Sequence, residues 1–245
     1  MIHRPFTTLS LLMLLCMLPE SLHAQTVIDM HTGRVSGKTK EDYDIAAREK
    51  WQLEQDSLEY IDCLTRAFNY LHADSLLQAQ DLLERALRLR PDAPGNYVVE
   101  HNLGRIAMAR NRWKEAVNFL NKVLQRQPNM GEAREDRATC YLQLQMFDLA
   151  LRDYDNLLLQ HPDDEHLLLL KAIALNRSGA VYDSLDILDS LIAQHPENAE
   201  AYLLRAETYL MLGQHGYARR DIKLAEKHGL PDNEVQHFMQ RLKED

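Results

Sequence analysis

The sequence predicts an all-α fold: an array of about five stacked helix pairs with a capping helix at each end. The first observation is a recurrence. Ala79, Ala116, Ala150, Ser184 and Ala218 are separated by steps of 37, 34, 34 and 34 residues. Leu83, Leu120, Tyr154, Leu188 and Ile222 keep the same steps, as do Ala86, Val123, Leu157, Leu191 and Ala225. A second column of small residues, Ala67, Gly104, Ala138, Ala172 and Ala206, stays in register, and Pro91, Pro128, Pro162, Pro196 and Pro231 close the units. A period near 34 residues marks an array of helix pairs. The second observation is the spacing inside each unit. Apolar residues at i, i+4 and i+7 share one helical face, and one pair cannot bury that face alone. The third is composition: 45% apolar residues with only 9 Gly and 8 Pro suit helices throughout.

Along the chain, residues 1–24 read as a secretory signal: Arg4, an apolar run Leu9–Leu18, then Pro19, with cleavage expected after Ala24. The run is too short to span a membrane. An exported protein of the periplasm or cell envelope follows as an expectation. Residues 25–40 read as a flexible linker. Helix is expected from about residue 41. Asp56-Ser57-Leu58-Glu59 has the form of a capping box, which sets a capping helix over 41–56 apart from the first repeat helix. A single helix over 41–72 is the alternative. Tyr43 and Trp51 are expected to cover the open end of the stack.

The repeat array is assigned to 57–231. Its longer first step falls at Asp92-Ala93-Pro94-Gly95-Asn96, a turn signal, so the insertion lengthens a loop and preserves helical phase. Each proline disfavours helix in the residue before it and separates units. A C-terminal capping helix is assigned to 232–245. It carries Val235, Phe238, Met239 and Leu242 on one side, with Gln236, Gln240, Arg241 and Lys243 on the other.

A formal net charge of −9 argues against general nucleic-acid binding, which needs a basic face. No metal, cofactor or catalytic residues are assigned. His161 and His195 recur with the repeat, and the cluster His161, Asp163, Asp164, His166 straddles a turn where Asp caps the next helix. No phosphate-binding glycine loop, zinc spacing or nucleophile elbow is present. Cys63 and Cys140 fall two repeats apart, too far for a bridge, and read as buried thiols.

The pattern resembles the tetratricopeptide repeat family. Ala138, Tyr141, Ala150, Tyr154, Leu157 and Pro162 match its positions well, as do Leu103, Gly104, Ala116, Leu120, Val123 and Pro128. So do Ala206, Tyr209, Gly213, Ala218, Ile222 and Ala225. The unit from Glu165 is degenerate, with Leu175 for the aromatic and Ser184 for the alanine. The resemblance implies a right-handed α-solenoid whose first helices line a concave groove for a peptide or protein segment. In that phase His101, Asn102 and Arg105 of the second unit face the groove, followed by Glu132, Glu135, Asp136, Thr139 and Gln143. The fourth unit adds His166, Leu169, Ile173, Asn176 and Arg177, and the fifth adds Leu203, Glu207 and Leu210. The basic and Asn set with which one branch of the family grips a C-terminal carboxylate is not reproduced, because Glu132 and Asp136 stand at its flanks. The expected function is therefore a non-catalytic interaction scaffold or adaptor. A structural subunit of an envelope assembly or homo-oligomer is the alternative.

Overall fold

A computed structural model of the protein describes the backbone of residues 40–244 and the side chains of 45–242. The expected signal (1–24), the linker as far as Thr39 and the ring of Tyr43 lie outside these described residues. Among the described residues the structure is entirely helical, with eleven helices. α1 (Lys40–His72) packs on α2 (Leu76–Leu89), and α3 (Asn96–Ala109) is followed by α4 (Trp113–Arg126). α5 (Gly131–Gln143) packs on α6 (Phe147–Leu158), α7 (Glu165–Ser178) on α8 (Val181–Gln194), and α9 (Ala199–Met211) on α10 (His215–Lys227). α11 (Asp232–Glu244) follows α10 and packs on it. Two- or three-residue turns join the members of each pair, which within a unit makes those neighbours antiparallel. The chain divides into two compact units. One runs to Arg110 and includes Gln125–Gln127, and the other holds Asn111–Leu124 and everything from Pro128 onward.

The repeating columns are the core. All of Ala67, Gly104, Ala138, Ala172, Ala206, Ala79, Ala116, Ala150, Ser184 and Ala218 are buried, as are the large residues in phase with them. Small side chains there let two helix backbones cross closely. Ser184 shows how a polar residue is tolerated in an alanine column: its Oγ donates to the Ala172 carbonyl at 3.1 Å, so the buried hydroxyl is satisfied. The five prolines are exposed and lie between units.

The turns inside the pairs carry a further column. Asp74, Asn111, Gln145, Gly179 and Gly213 all have positive φ, at 55°, 57°, 59°, 88° and 69°, and they follow the steps of the other columns. After each of Gln145, Gly179 and Gly213 the next amide reaches back five residues, as Met146 does to Tyr141 at 2.8 Å. That is the bond of a helix ending on a left-handed residue.

In the first unit α1 is one continuous helix, so the expected boundary between 56 and 57 does not exist. Ser57 Oγ donates to the Leu53 carbonyl at 2.6 Å instead of capping an amide, and Asp56 accepts from Gln52. Residues 40–72 contain neither Gly nor Pro, so nothing interrupts propagation. Only the second half of α1 packs against α2, through Tyr60, Cys63, Leu64, Ala67, Phe68 and Leu71. Trp51 is 61% exposed and covers nothing among the described residues, contrary to expectation. The lengthened loop is pinned by Asn96, whose amide donates to the carbonyls of Arg90 and Pro91 at 2.7 and 2.9 Å and accepts from the Tyr60 hydroxyl at 3.0 Å.

In the second unit the helix pairs are stitched by charge. Arg137 on α5 binds Asp153 on α6 through two nitrogens at 2.8 and 2.7 Å, and binds Asn121 of α4 at 2.7 Å. Arg205 on α9 repeats this with Asp221 on α10, at 2.6 and 3.0 Å, and Asp189 of α8 at 2.7 Å. In the repeat between them Lys171 bonds Asp155 of α6 at 2.7 Å, and the partner position on its own second helix is Ile187. α11 buries Val235, Phe238 and Leu242 as the periodicity predicts.

Candidate functional site

Within the second unit α7, α9 and α11 enclose a cavity of about 490 Å3. α7 contributes Leu169, Ile173, Asn176 and Arg177; the first three are spaced i, i+4 and i+7 and so share one face. α9 contributes Glu200, Leu203, Leu204, Glu207 and Met211, and α11 contributes Glu234 and Arg241. A smaller recess of about 250 Å3, lined by Leu203, Glu207, Asn233, Glu234, His237, Phe238 and Arg241, lies between α9 and α11.

Six residues assigned to the groove from sequence meet here: Leu169, Ile173, Asn176, Arg177, Leu203 and Glu207. The others do not line it. His101 and Asn102 are 1% and 0% exposed on α3, a helix buried on nearly every side, so neither presents itself to a ligand. The Asn102 amide turns back onto the Val98 carbonyl at 2.8 Å. Arg105 is half-buried on the same helix of the first unit. Glu135 on α5 contacts His166 at 3.2 Å. Thr139 lies close to the Tyr154 hydroxyl, whose pKa burial pushes up to about 12. Asp164, in the turn before α7, accepts from the Leu167 amide at 3.1 Å and acts as a helix cap. Among the described residues no group of His, Cys, Asp and Glu has the arrangement of a metal site. No described helix is long and apolar enough to cross a membrane.

The sequence reading missed the α11 wall by treating that helix only as a solvating cap. A signal was available: Glu200 and Glu234, Leu203 and His237, and Glu207 and Arg241 are each 34 residues apart. α11 therefore occupies the place of a sixth first helix. Arg241 Nη1 reaches Glu207 Oε1 at 3.4 Å across that step.

Asn176 is the buried polar residue of the cavity lining and is 7% exposed. Its Nδ2 donates to Thr208 Oγ1 at 2.7 Å, and that hydroxyl donates to the Leu204 carbonyl at 2.8 Å. The hydroxyl proton is committed, so Thr208 accepts only from an N–H, which fixes the amide orientation. Asn176 Oδ1 is then left buried without a protein partner. A buried acceptor in that condition is destabilising by about 1–3 kcal/mol. Among the described residues Cys63 and Cys140 are both free and buried, and burial raises both thiol pKa values, that of Cys140 to about 12.

Comparison with known proteins agrees with this architecture. Sequence models described as the tetratricopeptide repeat match residues 70–129, 107–174 and 187–220. The gap at 175–186 holds Leu175 and Ser184, the two substitutions that depart from the repeat pattern. A search of curated proteins by sequence finds no match. Among solved structures, YrrB, described as a tetratricopeptide protein with an unusual peptide-binding site, superposes with a TM-score of 0.61 at 18% identity, covering 78% of this chain and 97% of that one. MamA (41-end) from Desulfovibrio magneticus RS-1 gives 0.62 at 16% identity, over 69% of this chain and 94% of the other. A tetratricopeptide repeat protein from Parabacteroides merdae ATCC 43184 gives 0.52 at 22% identity, over 76% and 86%. With five in-phase helix pairs, repeat models matching across them and solved relatives of the same fold, the chain belongs to the tetratricopeptide repeat family.

Proposed function

We propose that this protein is an exported, non-catalytic scaffold that holds a peptide or protein segment of a partner against the first-helix face of its repeats. The observation that carries this reading is the cavity between α7, α9 and α11, where six residues picked from repeat phase come together around an apolar floor. Concave sites with few polar groups are the usual seat of ligands. YrrB, a structure of the same fold, is described as having a peptide-binding site. Export rests on the residue pattern of 1–24 alone.

Site-specific photo-crosslinking in the source cell tests it. One probe replaces Leu203 in the cavity and a control replaces Lys223, exposed on the second helix α10. The expected result is a discrete protein adduct from the Leu203 probe and none from Lys223. Equal adducts, or none at the cavity, overturn the groove reading. N-terminal sequencing of the protein recovered from cell fractions tests export, with Gln25 expected at the mature terminus of envelope material. An intact amino terminus in the cytoplasmic fraction overturns it.

The reading as a structural subunit is favoured by one feature, the exposed apolar residues Ile45, Trp51, Leu53 and Leu58 on the unpaired half of α1. Light scattering separates the two: a scaffold engaging its partner transiently runs as a monomer.

A further inference from the structure

We infer that the α7–α9–α11 cavity selects a peptide segment in which a large apolar side chain is flanked by lysine or arginine, with Asn176 Oδ1 accepting an N–H from that segment. This rests on the groove reading above and goes further by fixing the chemistry of the occupant. Three properties of the cavity lead to it.

The first is its apolar floor. Leu169, Ile173, Leu203 and Met211 line a space of about 490 Å3, enough for a large side chain and the backbone on either side of it. Met211 is 56% exposed and flexible, and such a side chain adapts to the shape placed against it.

The second is the charge around the floor. The lining carries three carboxylates, Glu200, Glu207 and Glu234, against two guanidinium groups, Arg177 and Arg241. Arg241 is engaged by Glu207. Glu200 and Glu234 are exposed, and no cation among the described residues pairs with either. They sit at equivalent places on α9 and α11, one repeat apart, and with only the exposed Arg177 set against them they leave the lining an excess of one negative charge. An anionic segment is repelled there and a basic one attracted. The same balance disfavours a second copy of this chain, whose net charge is −9.

The third is the acceptor. Asn176 Oδ1 is held in place by the Asn176–Thr208–Leu204 hydrogen-bond chain, is itself buried and has no donor among the described residues. An inserted backbone N–H completes it, and an apolar group alone does not.

A random-peptide phage library, selected against the folded full chain, supplies the probe. Selected peptides are then labelled with fluorescein and titrated by anisotropy against the wild type and four variants. Circular dichroism verifies that each variant is folded. The expected consensus is an apolar residue beside Lys or Arg. Leu203→Arg, which fills the cavity, abolishes binding. The double variant Glu200→Lys/Glu234→Lys, at two exposed positions, weakens it roughly tenfold and shifts a fresh selection toward acidic peptides. Asn176→Leu weakens it several-fold, whereas Thr208→Val, which keeps the acceptor but frees the amide to rotate, has an intermediate effect.

Peptides that lose binding in Leu203→Arg but show no basic preference, and that survive the double charge reversal, overturn this inference and leave the groove reading standing. Peptides whose binding ignores Leu203→Arg remove both. Unchanged affinity in Asn176→Leu overturns the assignment of the acceptor.

Discussion

Gln145 stands in a left-handed conformation, φ 59°, at the turn where Gly179 and Gly213 serve the following repeats. A side chain there crowds the following carbonyl, at about 1–2 kcal/mol, and Asn and Asp tolerate the region better than Gln does. Glycine removes the crowding but gains conformational freedom in the unfolded chain, worth about 0.5–1 kcal/mol in the other direction. Gln145→Gly should therefore stabilise the protein by roughly 0.5–1 kcal/mol, while Gln145→Val destabilises it. Urea denaturation with an unchanged m-value is the measurement. Asn111 and Asp74 should gain less from the same change. This column was present in the sequence as Asp74, Asn111, Gln145, Gly179 and Gly213, every member but Gln145 a common turn residue. It escaped notice because hydrophobic periodicity points at cores and says nothing about the residues between helices.

Between elements, the Arg205–Asp221 pair joins α9 to α10 with only 3% of the Asp side chain exposed. Burial works against the guanidinium charge, and the hydrogen bonds Arg205 donates to Asp221 and Asp189 overcome it, holding its pKa above the ordinary value. Removing one partner leaves the other charge stranded. Asp221→Ala is expected to destabilise the protein by about 3–5 kcal/mol, and the double replacement Arg205→Met/Asp221→Leu by far less, because two desolvated ions are then exchanged for packing. A double-mutant cycle in urea tests this. The stitch was not visible in advance, since the sequence was followed along its apolar and small columns, which assign no role to Arg137, Lys171 or Arg205. What was legible was everything that all five units must share: the small crossing residues, the apolar columns and the closing prolines. What was not legible was specific to one place. The Asp56–Glu59 segment mimics a helix start inside a helix that has nothing to stop it. His101 and Asn102 occupy groove phase on α3, a helix whose surroundings bury both of them. The open acceptor of Asn176 depends on which way Thr208 has spent its proton.

At the scale of the molecule, each compact unit carries one buried thiol among the described residues, Cys63 in the first and Cys140 in the second. Neither should react with Ellman's reagent in native buffer, and both should react once denaturant opens the units; a fast native reaction at either would contradict its burial. Cys140 and Tyr154 are both raised to about 12 by burial, from ordinary values of 9.0 and 10.0. Groups that stay protonated in the fold but ionise in the open chain support the native state fully below the lower values. That support is lost as pH rises toward 12. The urea midpoint should accordingly fall between pH 9 and 12, and less steeply in Tyr154→Phe.

The repeat with the weakest ionic tie is also the one that lines the cavity. α7 has Lys171 where its neighbours have arginine, and α8 has Ile187 where theirs have aspartate, so no charge pair of this column clamps α7 to its own partner helix. α9 is clamped on both sides, to Asp221 and Asp189. The cavity thus has one stiff jaw and one yielding jaw. The yielding one can shift against α8 by sliding apolar side chains over one another without breaking an arginine–aspartate clamp, its one lysine tie running instead to Asp155 of α6. A mouth built this way grips residues of different girth while the opposite wall keeps their register.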